Sequence, residues 1–483
     1  MSRYVAPPTL SGEFLIREVT VVDPVDGSAA AGMDVHVKGG KIVAVSHSRT
    51  ESIESRSPVV DGRGRYLVPG FMDMHAHALN SPDDVDGAYA LMLANGVVGF
   101  RQMSGSPALL AHRAAGTLPA PLGAPALLAT AGDLLTPMNA ATPEAAAATV
   151  RSQQAQGADF IKVGLVRRDA FLAALDAAGR LGIPLVGHLP EDVDPREAAR
   201  GGMRCIEHLG PGVTMFASTS FSEAEVRAVT GDDAGVRIPQ IKLPGVDRVV
   251  GRMIKAMVVN PAARTTEATA RALAIADTTF DEDAADRLAA LFAENSTWQC
   301  PTLIRVHAQQ FPNTTRYTKD ARRKYMAPDE LRSWEKSNKK FAALPSATRD
   351  VLETHWAAQL RLTRVLAAAG VPMLAGTDAD GAVGVIPGFA LHDEFALLAE
   401  AGLDPADILR AATSDAARFL DVEQEAGRIL QGFRADAVLL TDDPLAGSAA
   451  LGAIHGVVRA GSFWDRSALD ATLEAVAAAP GAH

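Results

Sequence analysis

Eight short apolar runs recur through the middle of the chain, separated by Ala/Leu-rich stretches of helical character. That alternation is the pattern of repeated strand–helix units. The predicted strands are Tyr66–His75, Val97–Met103, Ala126–Ala131, Phe160–Leu165, Pro184–His188, Cys205–His208, Thr297–Leu303 and Met373–Asp378. Eight parallel strands with intervening helices close into a (β/α)8 barrel, which carries its chemistry at the carboxyl ends of the strands. The expected fold class is therefore α/β.

The two ends of the chain read differently. Phe14–Val22, Asp34–Lys38 and Lys41–Val45 alternate in hydropathy and are divided by turn signals such as Asp26-Gly27 and Gly39-Gly40. Ala437–Leu440 and Gly456–Gly461 have the same character. The ends are expected to meet as a small discontinuous β-sandwich made of residues 1–66 and 425–483, with the barrel over 67–424. Two intervals, about 211–296 and 304–360, are too long for simple connections and predict helical insertions that cover the site. The second carries Arg322-Arg323-Lys324 and Lys339-Lys340, which reads as a solvated helical face rather than an anion site.

With 483 residues, 48% of them hydrophobic and 21% charged, the chain is able to bury a large core. A formal net charge of −11 argues against a nucleic-acid partner, because phosphate calls for a basic surface. Cys205 and Cys300 have no CxxC neighbour and read as small buried residues. No charged start followed by an apolar core opens the sequence, and no apolar stretch reaches membrane-spanning length. A cytoplasmic protein without a membrane partner is the default expectation.

Polar residues fall on the predicted strand ends. The first strand leads to His75-Ala76-His77, and alternation points both imidazoles the same way. Two neutral imidazoles one residue apart make half of a divalent metal site. Lys162 lies inside the apolar fourth strand, His188 ends the fifth, His208 the sixth and Asp378 the eighth. Singly, each has an ordinary explanation as a satisfied histidine, a snorkelling lysine or a helix cap. Gathered on the catalytic face of one barrel, they read as a metal site. By alternation Glu207 is expected to point away from His208, and Asp73 to line the interior below the histidine pair.

These motifs resemble those of the amidohydrolase superfamily, nearest its prolidase-like and imidazolonepropionase-like metal-dependent hydrolases. The resemblance runs through Val68-Pro-Gly-Phe71, Gly157-Ala-Asp-Phe-Ile-Lys162, Ile206-Glu-His208 and Ala375-Gly-Thr-Asp378. It continues in Pro387-Gly388, Ala411-Ala-Thr413 and Gly432-Phe-Arg-Ala-Asp436. It implies a TIM barrel with two divalent metal ions, zinc first among the candidates. His75, His77 and Asp378 would hold the more buried ion, His188 and His208 the second, and Lys162, N6-carboxylated, would bridge them. Two such ions lower the pKa of a shared water to about 7. Asp378 would then act as general base and acid. The resemblance also implies a homo-oligomer.

The expected reaction is hydrolysis of an amide C–N bond in a small molecule, a dipeptide or an N-acyl amino acid. Aryl ureas, carbamates and cyclic amides are the alternative substrates. Arg101, Gln102, Arg305 and His307 are the candidate substrate contacts, followed by His392, Asp393 and Glu394. Phe216, Trp298, Phe311 and Trp356 would line the apolar pocket that a urea needs. Deamination would want a glutamate near the fifth strand in place of Lys162, and Glu191 is the one nearby. A non-catalytic assembly protein would have lost ligands that are all present here.

Overall fold

The computed structural model describes residues 2–48, 57–80, 85–230 and 259–479. Part of the first predicted insertion, 231–258, lies outside the described residues. The amino-terminal segment supplies β1 (Leu10–Ser11), β2 (Glu13–Val22), β3 (Ala29–Lys38), β4 (Lys41–His47), β5 (Val59–Asp61) and β6 (Tyr66–Pro69). The middle supplies β7 (Phe71–Ala76), β8 (Val97–Gln102), β9 (Ala126–Thr130), β10 (Ile161–Val163), β11 (Leu185–Gly187), β12 (Cys205–Glu207) and β13 (Trp298–Cys300). The carboxyl-terminal segment adds β14 (Ala437–Leu440), β15 (Ile454–Arg459) and β16 (Ser462–Asp465).

The two ends of the chain do meet. They form a nine-stranded mixed sheet in the order β1-β16-β15-β14-β6-β2-β3-β4, with β5 beside β2. Phe14, Ile16, Val35, Val37, Leu439 and Phe463, drawn from both ends, share one apolar cluster, as the period-two hydropathy demands. The hydrogen-bonded path is that of a single sheet; among the described residues a second stacked end sheet is not found. The predicted first barrel strand, Tyr66–His75, is two strands. β6 pairs with β14 in the end sheet, whereas β7 pairs with β8 in the barrel. The switch falls at Gly70, where a Cβ would lie 2.4 Å from a methyl of Val98.

Strands β7 to β9 are parallel, and so are β10 to β13. Parallel bridges from Ala131 to Phe160 and from Leu135 to Val163 join the two sets. The predicted eighth strand pairs through single bridges, Met373 with Gln299 on β13 and Ala379 with Ala76 on β7. Leu374 N donates to Gln299 O at 2.8 Å, and Met74 N donates to Ala375 O at 2.9 Å. The eight segments are thus joined edge to edge. Met72, Met103, Ala129, Phe160, Val186, Cys205, Trp298 and Leu374, from all eight, form one buried cluster inside the ring, which also includes Cys300. The seventh strand is shorter than predicted, because Thr302 turns into the left-handed region (φ 46°) and Leu303 starts a helix.

Among the described residues, both predicted insertions contain helices. The first includes Glu223–Thr230, Glu267–Thr278 and Glu282–Glu294, and the second includes Pro328–Ala342 and Ser346–Ala368. Thr266 and Asp281 each cap a helix by accepting from the N–H three residues on. His355 joins the two insertions, its Nδ1 2.8 Å from Asp277. The basic run is spent locally: Arg322 pairs with Asp320 and Asp393, and Arg323 with Glu335. Among the described residues no helix is long and apolar enough to cross a membrane.

Ring closure depends on Gly376. A Cβ there would stand 2.7 Å from both Cys300 Sγ and His75 Cβ. Gly376→Ala is therefore expected to lower stability by about 1–3 kcal/mol through overpacking. Urea denaturation midpoints would check this, and an unchanged midpoint would contradict the packing described.

Candidate metal centre

Three histidines from two strand ends converge on one carboxylate. His75 at the end of β7 and His77 just beyond it both face Asp378, with Nε2 to Oδ1 distances of 3.2 and 2.7 Å. His208 follows β12 and places its Nε2 3.6 Å from Asp378 Oδ2. The His188 ring lies 5.2 Å from that of His208, centroid to centroid. Lys162 sits in β10 opposite Val186, buried, and its Nζ has no hydrogen-bond partner among the described residues. Gly187 makes room for it: a Cβ there would meet Val163 O at 2.4 Å and Lys162 Cδ at 3.0 Å. His208 and Asp378 are non-glycine residues at positive φ, 57° and 61°, where L side chains are strained.

The ring tautomers follow from the partners. Glu207 Oε2 lies 2.7 Å from His75 Nδ1, and a carboxylate only accepts, so Nδ1 donates. His77 Nδ1 is 2.8 Å from Ser104 Oγ, whose own proton goes to Asn80 Oδ1. His208 Nδ1 is 2.5 Å from Thr302 Oγ1, whose proton goes to Pro301 O. In all three rings the proton is on Nδ1, and the Nε2 lone pair faces Asp378. Lone pairs that close to a carboxylate oxygen repel unless a cation lies among them. Imidazole, carboxylate and amine donors in this arrangement fit a divalent transition metal ion.

The electrostatics agree. Burial pushes His77, His188 and His208 down, the last two well below the ordinary histidine range, so they stand as neutral donors. Burial alone would raise Asp378, but the Arg305 guanidinium beside it holds it well below the usual carboxylate range. Arg305 Nη1 is 2.5 Å from Asp378 Oδ2. Burial also drives Lys162 down, opposed by Glu207 and Asp378. Asp73 lies buried near the pair as expected; burial pushes it up to about 6, against hydrogen bonds from Thr377 and His75 N.

Other sequence expectations change. Glu207 does not point away, because the chain leaves the strand at His208 and Leu209, both at positive φ, and alternation ends there. Arg101 has none of its surface exposed and is bound to Glu207 and Met74 O, so it turns inward rather than toward a substrate. Gln102 is likewise spent on Asn80, Ser104 O and Leu79 N. Arg305 does reach the centre, while His307, half-buried on the same helix, is 2.5 Å from Tyr317 Oη. His392 contacts Asn95 O, Asp393 pairs with Arg322, and Glu394 holds Ile304 N at 2.7 Å. Trp298 packs edge-on against Phe419 and Phe216 against His355, whereas Phe311 and Trp356 gather round His307. Ser104, Thr302 and Glu207 as histidine partners had no local signal; only chain closure brings them there.

The profile of the Amidohydrolase family matches residues 248–463. A solved bottromycin amidohydrolase superimposes with a TM-score of 0.68 at 25% identity, covering 97% of this chain and 91% of its own. A Xaa-Pro dipeptidase solved with methionine in its active site gives 0.60 at 17% identity, covering 94% and 100%. Among curated proteins, adenine deaminase of Rubrobacter xylanophilus is 32% identical over 90 residues, 19% of this chain and 15% of its own. The chain spans less than a fifth of the length of the curated relatives it matches.

Glu394 gives a pH prediction. Burial pushes it from the ordinary 4.5 up to about 8, although Ile304 and Leu303 N–H groups pull the other way. The folded state therefore keeps a proton that the unfolded state releases. Its contribution is present below pH 4.5 and is lost as pH rises to about 8, by at most about 1.4 kcal/mol per unit. Glu394→Gln should flatten stability against pH across that window, and parallel wild-type and variant curves would sink the assignment.

Proposed function

Because the chain belongs to the amidohydrolase superfamily, we propose that it is a metal-dependent hydrolase of amide C–N bonds. Its substrate in this reading is a small carboxylate-bearing amide, a dipeptide or an N-acyl amino acid. The observation that carries it is the convergence of three Nε2 lone pairs on Asp378, with Arg305 against the same carboxylate. His75, His77 and Asp378 would hold one divalent ion; His188, His208 and N6-carboxylated Lys162 would complete the place of a second. Burial favours the neutral amine of Lys162, the form whose lone pair adds to carbon dioxide with loss of a proton. When bound, the ions would polarise the scissile carbonyl and acidify a water. Asp378 takes the proton of the attacking water and passes it to the leaving nitrogen. The planar fork of Arg305 spans Asp378 and the free carboxylate of the substrate. Residues 67–424 form the catalytic barrel in this reading, and the helical insertions shape its pocket.

A second reading, hydrolysis of an aryl urea or carbamate, is favoured by one cluster. His307 stacks on Phe311 at 4.6 Å, and Trp356 meets it edge-on at 4.9 Å, on and beside the helix that carries Arg305.

Dialysis against a chelator is expected to abolish hydrolysis, and added zinc or manganese to restore it. A mass-spectrometric screen of dipeptides, N-acyl amino acids, aryl ureas, carbamates and adenine separates the readings. Cleavage confined to carboxylate-bearing amides supports the proposal; cleavage of ureas alone, or release of ammonia from adenine, overturns the substrate class. Arg305→Met should raise KM about 10–100-fold for free carboxylates, the equivalent of one charge-assisted hydrogen bond. Substrates with that carboxylate amidated should change far less, and an equal rise for both would remove Arg305 as the anchor.

A further inference from the structure

Glu207 and Arg101 form a buried chain of contacts that ends on His75. Glu207 Oε2 accepts from His75 Nδ1 at 2.7 Å, and its Oε1 accepts from Arg101 Nη2 at 2.8 Å. Both residues are 0% exposed. Arg101 also donates from Nε to Met74 O at 2.6 Å and lies over the rings of Phe419 and Phe160, 4.9 and 5.5 Å from their centroids. Its strand, β8, and that of Glu207, β12, stand four places apart around the eight-position ring, so the pair meets across the interior.

Stability alone does not account for such a pair. Two charges removed from water are often matched or bettered by well-packed apolar side chains. Here satisfaction is also incomplete, because Arg101 Nη1 is buried without a hydrogen-bond partner among the described residues. What the pair does supply is a fixed negative charge at the far nitrogen of one imidazole. His77 and His208 have neutral hydroxyl acceptors in the same position, Ser104 and Thr302. Among the three, His75 alone is backed by an anion. A carboxylate accepting from Nδ1 fixes the ring plane and makes Nε2 the stronger base.

Resting on the metal-hydrolase reading above, we propose that Glu207, anchored by Arg101, is a positioning residue that acts through His75 to raise the metal affinity of the centre. It touches neither substrate nor reacting atoms. The pair thus gives His75 an anion where His208 has only the Thr302 hydroxyl.

The test is zinc affinity of the full chain, measured by competition with a chelating fluorophore. Glu207→Gln keeps size and an acceptor oxygen but removes the charge, and should weaken zinc binding about 10–100-fold. That variant leaves Arg101 buried without its anion, so misfolding is checked with the double variant R101M/E207Q. The double variant should recover the melting temperature of the metal-free protein while zinc affinity stays low. If E207Q binds zinc as wild type does, or if the double variant regains affinity along with stability, the pair is structural only and the proposal falls. A wild-type protein that binds no divalent metal would overturn the metal-centre reading itself, and this inference with it. Wild-type binding with an unaffected E207Q overturns the inference alone.

Discussion

Asp378 is an anion shut inside the protein with the lone pairs of three imidazoles turned upon it, and such a group stands only with positive charge in its midst. Much of the surrounding construction serves that requirement. Each imidazole is held by its other nitrogen, through Glu207, Ser104 or Thr302, so its lone pair has nowhere else to point. Arg305 brings a guanidinium to one carboxylate oxygen. The eighth segment delivers Asp378 to the histidines because Gly376 lets it lie against His75 and Cys300.

Much of this was legible in the sequence, for reasons of local geometry. Strand alternation put His75 and His77 on one face, and the repeated strand–helix pattern put His188, His208 and Asp378 at corresponding ends. Contacts that cross the ring were not legible. Hydropathy tells which face a residue occupies, but not which of seven other strands it meets there; the Glu207–Arg101 and Glu207–His75 contacts are of that kind. Alternation also misleads once a residue adopts positive φ, as His208 does, so Glu207 was assigned to the wrong side. The division of Tyr66–His75 into two strands was hidden as well, since an apolar run continues unbroken while its partners change from one sheet to the other.

The insertions are tied to the centre by single polar contacts rather than by the apolar core alone. Glu394, on the helix after the eighth segment, holds the first turn of the helix that carries Arg305. Two residues beyond Arg305, His307 joins Tyr317, Phe311 and Trp356 from the second insertion. That insertion is clipped in turn to the first through His355 and Asp277.

The left-handed backbone at His208, Thr302 and Asp378 has a consequence for how such a chain can change. Each is a position that glycine or asparagine would occupy with less strain, on the order of 1 kcal/mol or more. Each replacement would also delete a group that faces the centre or orients one that does. Selection for heat resistance alone would therefore gather substitutions at these three sites and dismantle the histidine–carboxylate cluster as it toughened the protein. Libraries built for thermal improvement should hold them fixed, and a homologue with glycine at all three would be a barrel kept for its shape.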